Sequence, residues 1–114
     1  MAKRVKTSPD RYADIIASIT AVAIFKIEGV ASLSSQSGKL ITGPNFSERS
    51  RKSIQVYIVG DKVTIDIFLN VYYGYKLPDL SFNIQEKVKI EVAKATHFKV
   101  DKVNINVLGV VFPA

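Results

Sequence analysis

Residues 54–74 read IQVYIVGDKVTIDIFLNVYYG, and the fold is decided there. Two runs rich in β-branched and aromatic residues, Ile54 to Val59 and Lys62 to Tyr73, are separated only by Gly60-Asp61. A two-residue connection with glycine in its first position predicts a β-hairpin. Ile54, Val56 and Ile58 alternate with Gln55, Tyr57 and Val59, and Val63, Ile65, Ile67, Leu69 and Val71 alternate with Thr64, Asp66, Phe68, Asn70 and Tyr72. Alternation puts each set on one side of its strand. One face is therefore aliphatic and must be covered by helices, whereas the other mixes Phe and Tyr with Asp and Asn and is left for water or a partner.

Downstream, Gly74 ends the strand and Pro78-Asp79 opens a helix whose apolar stripe is Leu77, Leu80, Ile84, Val88, Val92 and Ala95, with Glu86, Lys87, Lys89, Glu91 and Lys94 on the wet side. After Thr96-His97, the run Val100 to Phe112 alternates again as a last strand, with Val103, Ile105 and Val107 against Lys102, Asn104 and Asn106. Upstream, Ser8-Pro9-Asp10 reads as a helix start. Tyr12, Ile15, Ile16, Ile19, Val22, Ala23 and Ile27 follow at steps of three and four, predicting an amphipathic helix that stops at Gly29, with Val30 folding back as the apolar contact of the cap. Residues 32–53, rich in Ser and Gly, show no sustained period and predict a mobile loop with a short strand around Leu40-Ile41. Residues 1–114 thus predict a single α+β domain, two helices packed on one face of a small, mostly antiparallel sheet in the order α-(β)-β-β-α-β.

Composition agrees with one domain. The chain has 114 residues, 47% apolar and 23% charged, close to average globular usage. The absence of cysteine excludes a disulfide scaffold, a thiolate metal site and a cysteine nucleophile. Ile15 to Phe25, the longest apolar stretch, falls well short of the roughly 20 residues of a membrane span, and no secretory signal pattern precedes it, so a cytoplasmic protein without membrane insertion of its own is expected.

Catalytic chemistry is hard to assemble from these residues. Gly38-Lys39 lacks the glycine and the Ser or Thr of a phosphate-binding loop. Asp10 with Asp14, and Glu86 with Glu91, read as solvated helix charges. The single histidine, His97, has no GxSxG partner and no second histidine for a metal, and it reads as a helix terminator in left-handed conformation. No catalytic residue, metal or cofactor is therefore assigned. The net charge of +6 and the cluster Arg49, Arg51 and Lys52 admit a nucleic-acid-binding module, with Tyr57, Phe68, Tyr72 and Tyr73 as stacking aromatics. Asp66 on the same face and the lack of an RNA-recognition signature favour a protein contact instead.

The ordered set Val63-Thr64-Ile65-Asp66-Ile67-Phe68-Leu69-Asn70-Val71-Tyr72-Tyr73-Gly74, Pro78, Ile84-Gln85-Glu86-Lys87-Val88 and Val103-Asn104-Ile105-Asn106-Val107, preceded by Ile27-Glu28-Gly29-Val30, resembles the alkaline shock protein family of Gram-positive bacteria. The resemblance implies a small non-enzymatic cytoplasmic protein of cell-envelope homeostasis and stress. It also implies a homo-oligomer, with some members held under the membrane by a separate membrane-anchored protein, and it brings no catalytic residues with it. Thr96-His97-Phe98 departs from the family's usual Thr-Gly-apolar pattern. The basic start and the end at Ala114 point to a shorter housekeeping branch. The residues expected to make protein contacts are Phe68, Asn70, Tyr72, Asn104 and Asn106, since carboxamides and aromatic rings together suit the centre of an interface.

Overall fold

The computed structural model describes residues 11–34, 40–41 and 53–112. In chain order they form α1 (Arg11–Phe25), β1 (Val30–Ser34), β2 (Leu40–Ile41), β3 (Ile54–Val59), β4 (Lys62–Tyr72), α2 (Leu77–Ala95) and β5 (Lys99–Val111). All five strands join one sheet around β4. The hairpin forms as its sequence predicts, with Ile54 opposite Ile67 and Val59 opposite Lys62. Gly60 takes φ +64° while Asp61 stays at negative φ, which makes the turn type II′.

β5 runs parallel to β4 from Lys62 beside Lys99 to Tyr72 beside Val111. The parallel pairing follows from α2, which carries the chain back along the sheet before β5 begins. Because β5 occupies one edge of β4 throughout, β3 and β1 share the other, β3 beside residues 62–67 and β1 beside residues 69–71, both antiparallel. β2 adds antiparallel to β1. The architecture is the expected α+β domain, two helices and a mostly antiparallel sheet.

The structure differs from the sequence reading in four places. Ser32 to Ser34, read as the start of a loop, belong to strand β1, where Ser32 and Ser34 are buried. The helix expected to reach Gly29 ends at Phe25. Its last amides bond three residues back, Lys26 to Ala23 and Ile27 to Ile24, and Gly29 at φ +109° then turns the chain into β1. His97 does not adopt a left-handed conformation. Thr96 closes α2 instead, in extended conformation, its amide and hydroxyl both donating to the Val92 carbonyl while its Oγ1 accepts the Phe98 amide. The helix start at Ser8-Pro9-Asp10 lies outside the described residues.

The fourth difference is the phase of α1. Ala13, Ile16, Ala17, Thr20, Ala21, Ala23 and Ile24 are buried, whereas Tyr12, Ile15 and Val22 are exposed. Small side chains let the helix axis approach the sheet closely, and Thr20 satisfies its hydroxyl by donating to the Ile16 carbonyl at 2.8 Å. Of the expected face, Ile16 and Ala23 are buried and Ile19 and Ile27 pack against the core, so the buried stripe is rotated toward Ala13, Ala17, Ala21 and Ile24. α2 follows its predicted stripe, with Leu80, Ile84, Val88 and Val92 buried, although Leu77 and Ala95 at its ends are exposed. These residues meet Ile54, Val56, Val63, Ile65, Ile67, Leu69, Val71 and Val103 in one core.

Candidate interaction surface

The sheet face opposite the helices is built from alternate residues of β3, β4 and β5. Parallel register sets Asp66 beside Asn104, Phe68 beside Asn106 and Tyr72 beside Val111. Every expected contact residue therefore falls on this face, but the carboxamides are tied down. Asn104 Nδ2 donates to Asp66 Oδ1 at 2.7 Å, and Asn106 Nδ2 donates to the Ile67 carbonyl at 3.3 Å. Each bond crosses from β5 to β4 and so ties the two parallel strands together. Tyr57, on the same face in β3, is held by its hydroxyl donating to Gln55 Oε1 at 2.7 Å. Phe68 and Tyr72 are half-buried on the same face, Phe68 beside Asn106 and Tyr72 further along beside Val111.

Asn70 has a different part. It is only 7% exposed, and its Nδ2 donates to Ser32 Oγ at 3.1 Å, so it pins β1 to β4 rather than offering an amide to the surface. Beside it stands Gly109, at the second irregularity of the β4–β5 register. A Cβ on Gly109 would lie 2.9 Å from Asn70 Oδ1, so only glycine admits that carboxamide without displacement.

The sequence reading missed the exposed apolar strip at the end of β5. Leu108, Val110, Val111 and Phe112 are 39–72% exposed, and the Phe112 ring lies 4.9 Å from that of Tyr73, itself exposed. The signal was present: the polar partners that alternate with Val103, Ile105 and Val107 cease after Asn106. Arg49, Arg51 and Lys52, the candidate nucleic-acid contacts, lie outside the described residues.

Two clefts remain. One of about 440 Å³ runs between α1 and α2, with Ile19, Val22, Ala23 and Ala95 as floor and Lys26, Glu91 and Lys94 at the rim. Glu91 there draws in both Lys87 and Lys94. The other, about 290 Å³, lies where Ile27-Glu28 meets Gly74-Tyr75 at the start of α2. Tyr75 packs its ring on Gly29 near the Glu28 carboxylate; desolvation first, and then the Glu28 charge, hold its phenol above the ordinary tyrosine range. His97 stacks on Phe98 at 4.6 Å and meets Tyr12 edge-on. Among the described residues no three His, Asp or Glu side chains gather as metal ligands, and no helix is long and apolar enough to cross a membrane.

Comparison with known proteins gives this geometry a family. The chain is 30% identical over 103 residues to the uncharacterized protein YloU of Bacillus subtilis, covering 85% of this chain and 82% of that one. It is 33% identical over 99 residues to the uncharacterized protein Spy1535 of Streptococcus pyogenes, covering 85% and 74%, and 26% identical over 102 residues to YqhY of Bacillus subtilis, covering 87% and 73%. No solved structure matches. The model of the alkaline shock protein 23 family, described as having a cell envelope-related function, matches residues 3–112, a span that includes β4, the Tyr-Gly turn and the Asn-bearing last strand, and the chain belongs to that family.

Proposed function

We propose that the protein is a non-enzymatic assembly factor of the bacterial cell envelope, working in the cytoplasm through self-association and through a membrane-anchored protein partner. The observation that carries this reading is the open sheet face, where half-buried Phe68 and Tyr72 lie on β4 and Asn104 and Asn106 are oriented by hydrogen bonds to that strand. Side chains already held in place lose little entropy when a partner covers them, which favours protein contact over chemistry. The membership in a family of envelope-related function supports the cellular setting.

The test is the double variant Phe68→Ala with Tyr72→Ala, compared with the parent chain in sedimentation and in recovery of partners from detergent-solubilised cells. A smaller assembly and loss of an envelope protein from the recovered material are expected. Unchanged sedimentation and unchanged recovery would overturn the assignment, and recovered material that disappears with nuclease would transfer the function to nucleic-acid binding, with Arg49, Arg51 and Lys52 as the residues to replace.

A further inference from the structure

We infer that the C-terminal half of β5 is a strand-addition edge at which a second copy of this chain pairs antiparallel across a two-fold axis, making one sheet through both copies. The inference rests on the assembly reading above and names a surface for it, distinct from the Phe68 and Tyr72 face.

The first argument is the backbone. Among the described residues the outer edge of β5 has no strand partner. An open edge presents a row of amide and carbonyl groups that another strand can complete. The Val111 carbonyl turns inward to accept the Tyr73 amide at 2.8 Å. Alternation along the strand then turns the backbone groups of Val110 outward.

The second argument is how the two halves of β5 treat that edge. Edge strands of monomeric proteins are usually blunted by charge. Lys99, Asp101 and Lys102 do this for the first half, but residues 103–112 carry no charge and expose Leu108, Val110, Val111 and Phe112. Antiparallel pairing centred near Leu108 sets residues 104–112 against the same residues of the other copy, apolar on apolar. A centre nearer the start of β5 would bury lysines against valines, so charge restricts the register to the C-terminal half.

Charge also bears on which chain arrives. All the charges of the chain, +6 in net, lie outside residues 103–112. Two copies of this neutral strip therefore meet with no like charges along the contact, whereas an acidic peptide finds no cation there to pair with. A two-fold contact is self-complementary and closes after two copies, covering both edges at once.

The chain contains no cysteine, so a single introduced one reports symmetric contact. Asn106→Cys, Leu108→Cys and Val110→Cys, oxidised as full-length chains, are expected to give disulfide-linked dimers that peak at one of the three positions. Val59→Cys, at the exposed end of β3, is the control and should not. Separately, Val110→Lys places a charge on the edge at a half-exposed site and should halve the assembly mass in sedimentation equilibrium while the circular dichroism spectrum is retained. A parent chain that sediments at the mass of one 12.6 kDa copy even at high concentration overturns the inference. So does an assembly that Val110→Lys leaves intact, or cross-linking equal at Val59 and β5; in those two cases the scaffold reading, tested through Phe68 and Tyr72, still stands.

Discussion

β4 meets different conditions on its two faces. Toward the helices Val63, Ile65, Ile67, Leu69 and Val71 are at most 2% exposed and touch only the apolar core. Away from them Asn70 is held by Ser32, while Asp66 receives Asn104 and the Ile67 carbonyl receives Asn106. Burial is favourable but has no direction, so the aliphatic face holds the helices on without saying which strand lies beside which. Hydrogen bonds do have direction, and three asparagines on the open face bind β1 and β5 to β4 at defined positions. The difference separates stability from registry within one strand.

Breaking the aliphatic side has the largest expected effect. Ile67→Ala removes a fully buried side chain and leaves a cavity beneath the sheet, costing about 2–5 kcal/mol in urea denaturation. A loss below about 1 kcal/mol would mean that the helices collapse into the gap and that the core is less tightly defined than its burial implies.

Gly109→Ala tests the directional side. The new methyl group must displace Asn70 Oδ1 and with it the bond to Ser32, so a loss of about 1–3 kcal/mol is expected, the range for overpacking a tight site. Asn70→Ala alone should also destabilise. In the double variant the clash disappears, and the combined loss should be less than the two single losses together. Strict additivity would show that Gly109 and Asn70 are not coupled and that β1 is held by packing alone.

The contrast also explains what the sequence disclosed. β3, β4 and α2 were legible because Ile, Val and Leu mark their buried positions at steps of two or four. β1 was not, since Ser32 and Ser34 are buried polar residues in a stretch that reads as loop, and the burial of Ser32 depends on Asn70, distant in sequence. α1 was legible as a helix and only partly in phase, because Ile16, Ile19, Ala23 and Ile27 do face the core whereas alanine adds little to an apolar pattern although it allows the closest packing. The positions of Asn104 and Asn106 on the open face followed from alternation. Their bonds to β4 did not, since they require the parallel neighbour that α2 creates.

The smallest expected effect lies at the end of the sheet, where neither a sealed core nor a buried amide operates. Tyr75 is 40% exposed, yet its ring covers Gly29, and its phenol feels the Glu28 carboxylate. Partial desolvation and the adjacent carboxylate raise its pKa above the ordinary 10.0. With the folded value above the unfolded one, the unfolded chain loses this proton first as pH rises. The contribution is therefore fully present below pH 10.0 and is lost as pH climbs through the folded value. In a tyrosinate absorbance titration, Tyr75→Phe should remove a late-titrating phenol. Glu28→Gln should move that phenol down toward the ordinary range without abolishing the part due to desolvation, and near neutral pH both variants should melt close to the parent. If Tyr75→Phe instead removes a phenol titrating with the others, the Glu28 contact does not persist in solution, and the turn from α1 into β1 is held by Gly29 and the β1–β4 ladder alone.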